Sequence, residues 1–353
     1  MQPSLIKIKK PIEKKIKAWI NGVEKTGILR SSAIPTLDDI EKYSDIKSAR
    51  NILIESIEFN EHVEPKKICQ MIESGIFKLD KTLANLNFMN QNVDCKLLEV
   101  LLTWLGKSAI TIKHCNLANI SVCSKAWRFF VDWLIRGTTE VQSLELGKVK
   151  MNLSRVKDLV NILQEANVGL SRLGLAESQW TFCEMKAFLW MGGFVKSKKL
   201  TRLSLGDSVL CANSRRLLIE HIAQESSTIQ VFSSGIVELS EHEIVKLFGH
   251  MQTRQSNLLS LVLSNQTLGK KSSEQLAKVI SQSDTLRHLA VINCWLDKEA
   301  LEGKMRIGKV PNIYLETITA GQIQTMTEMF IAKGYEIERE VSRHRIKLKL
   351  PNK

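Results

Sequence analysis

An eleven-residue pattern of apolar positions returns along this chain. The segment LTRLSLGDSVL, which starts at Leu200, has apolar residues at its first, fourth, sixth and eleventh positions. LSRLGLAESQW from Leu170, LLSLVLSNQTL from Leu258 and LRHLAVINCWL from Leu286 share this pattern. Apolar residues at positions four and six, with one residue between them, are typical of a β-strand that buries one face.

Ten segments follow the pattern more or less closely. They begin at Ile54, Leu83, Lys107, Val141, Leu170, Leu200, Ile229, Leu258, Leu286 and Val310. The successive steps are 29, 24, 34, 29, 30, 29, 29, 28 and 24 residues, so five consecutive steps fall between 28 and 30. Such regularity indicates a tandem repeat.

Helical periodicity fills the intervals between these strands. It is clearest at 94–105, 125–136, 154–165, 240–251 and 272–282. Three predicted helix starts resemble capping boxes: Thr181 with Glu184, Ser240 with Glu243, and Ser272 with Gln275. Each repeat is therefore predicted to be one strand, one turn and one helix. Stacked units would form a parallel sheet on an inner, concave face with the helices outside.

The pattern and its period resemble the leucine-rich repeat, specifically the ribonuclease-inhibitor-like subfamily. AITIKHCNL (109–117) and LRHLAVINCWL (286–296) match the family pattern best, with Cys115 and Cys294 at its Asn/Cys turn position. The resemblance covers roughly residues 51–317. It implies an α/β solenoid, a curved horseshoe of about ten irregular repeats, in which Cys115 is a buried turn cysteine.

Three segments of the chain are predicted from these patterns. Residues 1–50 form a basic N-terminal segment whose apolar face over 12–23 indicates a capping helix, with a membrane-surface or partner-binding helix as the alternative. Residues 51–317 are the repeats. Residues 318–353 form a C-terminal cap, with a helix over 321–333 and two short strands around Val341–Arg343.

Charge and cysteine content indicate the kind of partner and the cellular compartment. The formal net charge is +13, and both ends are basic, which suits nucleic acid or an anionic membrane. The N-terminal candidates for binding such a polyanion are Lys7, Lys9, Lys10, Lys14, Lys15 and Lys17. The 7 cysteines are scattered and odd in number, which favours a reducing compartment, the cytoplasm or alternatively the nucleus. No apolar run approaches the ~20 residues of a transmembrane helix.

Motifs for catalysis are missing from the sequence. It contains no GxxxxGK[ST] loop, GxGxxG, HExxH or GxSxG, and no set of four converging metal ligands. We therefore expect no enzyme activity, no cofactor and no metal.

Function is expected on the concave face, at outward positions three, five and seven of each repeat. Small residues dominate these positions, and the long exceptions Arg172 and Arg202 occupy equivalent places in adjacent repeats. The candidate partner-binding residues are Lys113, Glu145, Arg172, Arg202 and His288. Adjacent arginines point to a protein partner with an acidic patch; the alternative is two solvated arginines that splay apart.

The leading hypothesis is a non-catalytic intracellular scaffold for protein–protein interaction. Three alternatives remain. WRFFVDWLIRGTTEVQSLEL and MKAFLWMGGFVKSKKLTRLSL resemble the F-box-associated repeats of nematode proteins, which implies the substrate-recognition arm of a ubiquitin ligase. The repeats are also similar to the sensor arm of innate-immune nucleotide-binding receptors. The basic termini suggest polyanion binding, which should weaken steeply with added salt.

Overall fold

The structure is a computed structural model of the 353-residue chain. It describes residues 28–30, 52–54, 56–58, 72, 77–79, 81–88, 95–107, 109–165, 169–177, 179–190, 199–206, 209–223, 227–235, 239–253, 256–306, 308–316, 320–342 and 345–351. The chain divides into two compact units, Met1–Val149 with Glu165–Leu170, and Lys150–Gln164 with Ser171–Lys353. This division falls inside the region predicted as repeats, so the three predicted segments stay a prediction.

The first unit contains short parallel strands and two described helices. Its strands are β1 (Ile28–Arg30), β2 (Ile52–Ile54), β3 (Ser56–Glu58), β4 (Phe77–Leu79), β5 (Thr82–Asn87), β6 (Thr111–Asn116), β7 (Glu140–Val141) and β8 (Ser143–Glu145), and its helices are α1 (Cys95–Gly106) and α2 (Ser124–Arg136). The sheet order is β1-β3-β5-β6-β8, with β7 beside the start of β6 and a separate β2–β4 pair.

The second unit continues the alternation of strand and helix. Its helices are α3 (Leu153–Gln164), α4 (Phe182–Trp190), α5 (Ala212–Ile222), α6 (Glu241–Met251), α7 (Lys270–Gln282), α8 (Lys298–Lys304) and α9 (Ala320–Ala332). Its strands are β9 (Arg172–Gly174), β10 (Gln179–Trp180), β11 (Arg202–Ser204), β12 (Val209–Leu210), β13 (Val231–Ser233), β14 (Ser260–Ser264), β15 (Thr267–Leu268), β16 (His288–Ile292), β17 (Trp295–Leu296), β18 (Asn312–Glu316), β19 (Glu336–Ser342) and β20 (Arg345–Lys349).

A mostly parallel sheet organises this second unit. Strands β9, β11, β13, β14, β16 and β18 pair in parallel and in chain order, and β20 and β19 then add in antiparallel fashion. The C-terminal helix and two strands therefore form as predicted. Within its described residues the chain is a mixed α/β protein, since helices separate most of the successive sheet strands.

The repeat pattern of the sequence is visible as the register of this sheet. Leu173 lies beside Leu203, and Leu261 beside Leu289, as predicted. The buried row across the sheet is Leu173, Leu203, Phe232, Leu261, Leu289, Ile313 and Leu348, and each of these side chains is at most 1% exposed. The helices bury apolar stripes as well, for example Leu276, Val279 and Ile280 of α7. The buried face of the sheet and the apolar stripes of the helices are both removed from water, and this burial holds each strand–helix unit to its neighbours.

One predicted repeat start is wrong. Ile112 pairs with Leu83 and with Val141, so the third pattern begins at Ile112 and not at Lys107, which makes the steps on either side 29 residues. Cys115 consequently lies within strand β6, between Leu86 and Leu144, and is not a turn cysteine. Two apolar alternations overlap in this stretch. The chain adopts the one that buries Cys115 together with Leu117.

Cys294 does occupy a turn. Its thiol is buried and lies 3.4–3.5 Å from the carbonyl oxygens of Ile292 and Leu263. At the same position of the preceding repeat, the Gln266 amide donates to the Ser264 carbonyl at 2.7 Å and accepts from the Leu239 N–H at 2.9 Å. Glutamine therefore supplies a hydrogen bond between adjacent turns, at a position where the family pattern has Asn or Cys.

Candidate functional site

Alternate residues of each strand point to the same face of the second unit's sheet. On one of the two faces, which we call the open face, most side chains are small or polar. One row of this face is Arg172, Arg202, Val231, Ser260, His288, Asn312 and Lys349, which pair in register from strand to strand. The next row is Gly174, Ser204, Ser233, Val262, Ala290, Tyr314 and Lys347. The open face is defined by these two rows.

Two arginines stand side by side at one end of the open face. Arg202 pairs directly with Arg172, and both side chains are exposed. The residue in register on the other side of Arg202 is Val231, so neither position flanking Arg202 in its row is acidic. Neighbouring strands lie about 4.8 Å apart. The predicted juxtaposition of the two arginines is therefore present in the fold.

The centre of the open face carries little bulk. Ser204, Ser233, Ser260, Val262 and Ala290 are its central side chains, and all are partly exposed. Short side chains leave the backbone ribbon accessible to a partner, and their hydroxyl groups add donors and acceptors. This part of the face can admit larger side chains from another molecule.

A second group of cations stands at the other end, on β20. Lys347 forms an ion pair with Glu338 at 2.8 Å, and Arg345 forms one with Glu316 at 2.9 Å. The hydrogen bond from Lys347 lowers the pKa of the Glu338 carboxyl. Lys349 adds a third cation, opposite Glu336. Because these cations have acidic neighbours, their charge is partly neutralised within the protein.

The remaining predicted site residues are distributed unevenly. His288 lies in the same row as the arginines but three strands from Arg202, roughly 14 Å along the sheet, so it is not an immediate neighbour. Lys113 and Glu145 belong to the first unit. There Glu145 pairs with Asn116, and Lys113 is exposed between the paired residues Ile112 and His114.

Correction of the third repeat changes which residue is equivalent to the arginines. Asn85 pairs with His114, so His114 follows Asn85 along that row of the first unit. The sequence interpretation missed His114 because it placed the repeat start five residues too early. A step of 29 residues from Leu83 would have found it. The N-terminal lysines Lys7, Lys9, Lys10, Lys14, Lys15 and Lys17 lie outside the described residues.

The described tryptophans do not all pack in the core. Trp127 and Trp133 are buried, whereas Trp190 is 75% exposed. Its ring lies under the Lys186 ammonium group, 4.5 Å from the ring centre. Trp190 is therefore a surface residue and not part of the core.

A cavity of about 280 Å³ lies between α8 and α9, and none of its lining residues belongs to the open face. Cys294, Leu296, Lys298, Leu301, Met326 and Met329 line it with Gly321, Gln322 and Thr325. Burial raises the pKa of Cys294 to about 11, so its thiol stays protonated at neutral pH. The cavity lining therefore offers no activated cysteine nucleophile.

The described part of the chain has neither a metal-binding cluster nor a membrane-spanning helix. No group of three or more His, Cys, Asp or Glu residues there could hold a metal ion. Among those same residues, no helix has the length and apolar character needed to cross a bilayer.

No protein-family model matches this chain, and no curated protein does.

Proposed function

We propose that this chain is a leucine-rich-repeat solenoid of the ribonuclease-inhibitor-like kind that acts as a non-catalytic scaffold. Its open face binds a protein partner through an acidic patch on that partner. The parallel strands in chain order, the helix after most strands and the repeat step of 28 to 30 residues support the solenoid.

The pairing of Arg172 with Arg202 is the observation that carries the binding proposal. Like charges directly opposite on adjacent strands destabilise a sheet, by an amount in the range of about 0.2–1 kcal/mol. A carboxylate that accepts hydrogen bonds from both guanidinium groups would offset this cost, because bonds between charged groups are shorter and stronger than neutral ones. An exposed pair of this kind suits recognition better than it suits stability.

The test compares two charge reversals of equal size. The first variant carries Arg172→Glu with Arg202→Glu on the open face. The control carries Arg128→Glu with Arg216→Glu, which changes two exposed helix residues. Each immobilised full-length protein is exposed to cell extract, retained proteins are quantified by mass spectrometry, and circular dichroism verifies folding.

We expect a partner that wild type and control retain equally and that the open-face variant retains at least tenfold less. Equal retention by all three proteins would contradict a role for the arginine pair. Nuclease treatment of the extract distinguishes polyanion binding, because a partner held through nucleic acid would be lost from all three proteins.

A further inference from the structure

A short helix interrupts the helical layer of the second unit. α7 and α9 each have 13 residues, whereas α8 between them has 7. The repeat step that contains α8 is also short, with 24 residues from Leu286 to Val310. Because α8 makes only about two turns, it contributes just Lys298 and Leu301 to the wall that faces α9. The cavity of about 280 Å³ lies between these two helices.

One face of α9 forms the opposite wall of this cavity. Its side chains stand at i, i+3, i+4 and i+7, the spacing of a single helix face, and they are Gln322, Thr325, Met326 and Met329. Methionine side chains are flexible and polarizable, so they adapt to the shape of an apolar guest.

The cavity is apolar at its base and polar at its mouth. Leu301 and Met329 are 1% and 4% exposed and are its most deeply buried side chains. Lys298 and Gln322, in contrast, are exposed. None of the described residues that line the cavity is acidic. A ligand would therefore enter with an apolar end and leave an anionic end beside the Lys298 ammonium group.

We propose that this cavity binds a medium-chain fatty acid as its carboxylate. The alkyl chain packs against Leu301 and Met329, and the carboxylate lies beside Lys298. The proposal is independent of the open face and of any partner bound there.

The volume of the cavity determines the length of the chain. An engineered protein cavity of roughly 150 Å³ binds benzene, which has six carbons. The cavity between α8 and α9 is about twice as large, so it suits a chain of about eight to ten carbons. Each buried CH₂ group should tighten binding by up to about fourfold. Octanoate should consequently bind more tightly than hexanoate.

The experiment titrates full-length protein with octanoate, hexanoate and 1-octanol at pH 7 by isothermal titration calorimetry. Met326→Trp fills the cavity from a partly exposed position, and Lys298→Gln removes the charge at its mouth. The matched control is Lys304→Gln, which changes an exposed lysine of α8 that does not line the cavity. Circular dichroism verifies the folding of each variant.

We expect Met326→Trp to weaken the binding of octanoate and of 1-octanol at least tenfold. Lys298→Gln should weaken octanoate about three- to fivefold, because an exposed ion pair is of modest strength, and should leave 1-octanol unchanged. Lys304→Gln should bind both ligands as wild type does.

Three results would overturn the proposal. The first is no binding of octanoate to wild type. The second is equal binding of octanoate by wild type and a folded Met326→Trp protein, since the ligand would then lie elsewhere on the basic surface. The third is equal binding of octanoate by wild type and Lys298→Gln, which would remove the role of the carboxylate and which can be measured even if Met326→Trp does not fold.

Discussion

Left-handed residues mark the turn after the strand in five repeats. Asn119, Lys148, Glu177, Asn265 and Asn293 have φ between 50° and 59°, and all stand at the eighth position of their corrected repeats. Asparagine tolerates this conformation better than most residues. The three asparagines are therefore a turn signal in the sequence, whereas Lys148 and Glu177 adopt the same conformation without such a signal.

In the repeat that starts at Ile229, the left-handed residue is Gly235, at the seventh position and not the eighth. Its φ is +56°, and an added Cβ would lie 1.6 Å from the carbonyl oxygen of Gly206, which is a backbone atom. We expect Gly235→Ala to lower the free energy of unfolding by about 3 kcal/mol or more, because backbone strain and overlap add. Urea denaturation measures the change.

Gly249 is the matched control, since it lies in α6 with nothing within 4 Å of an added Cβ. Gly249→Ala should raise the free energy of unfolding by about 0.5–1 kcal/mol, because alanine favours the helix. Equal effects of the two substitutions would contradict the assigned role of Gly235.

Helix starts recur with the same period as the strands. Seven helices are preceded by Cys123, Asn152, Thr181, Cys211, Ser240, Gly269 and Asp297, each eleven residues after the start of its corrected repeat. Five kinds of side chain and one glycine occur at this position, because the N-cap needs an acceptor or an unhindered backbone.

Local sequence predicted two of the three capping boxes. Thr181 with Glu184 and Ser240 with Glu243 each exchange two backbone hydrogen bonds. The third prediction, Ser272 with Gln275, is wrong because α7 begins at Lys270. Glu241 of α6 accepts from the N–H groups of Lys271 and Ser272 instead. A cap supplied by another helix leaves no signal in the local sequence.

Ser240 offers the clearest test of these caps. Its hydroxyl accepts from the Glu243 N–H, and the Glu243 carboxylate also lies 3.4 Å from Arg215 of α5. We expect Ser240→Ala to lower the free energy of unfolding by about 1 kcal/mol, since an orphan N–H at the helix start loses its acceptor. Chemical denaturation of Ser154→Ala, an exposed serine in α3, should differ from wild type by less than about 0.5 kcal/mol. Matching losses in both variants would count against the cap.

At the scale of the whole molecule, the period of the leucines in the sequence is enough to predict the parallel strand pairing in the second unit. Register was harder to predict in the first unit, because Lys107 and Ile112 begin two overlapping apolar patterns and only strand pairing selects one. The arginine pair followed directly from the period.

Two buried thiols make stability depend on alkaline pH. Burial raises the pKa of Cys115 to about 12 and that of Cys294 to about 11, while a thiol of the unfolded chain titrates near pH ~8.5. Above that value the unfolded chain releases protons that the folded chain retains, so the stabilisation present at lower pH is lost as pH rises towards 11. Each buried thiol should lower the free energy of unfolding by on the order of 1–2 kcal/mol between pH 8 and pH 10.

The measurement is the free energy of unfolding at pH 8 and pH 10 under reducing conditions. Cys115→Ala and Cys294→Ala should each lose less stability over this interval than wild type does, whatever their stability at pH 8. Cys183→Ala, which removes an exposed thiol, should keep the wild-type difference. If all four proteins lose the same free energy, lysine and tyrosine titration and not the buried thiols sets the alkaline limit of the fold.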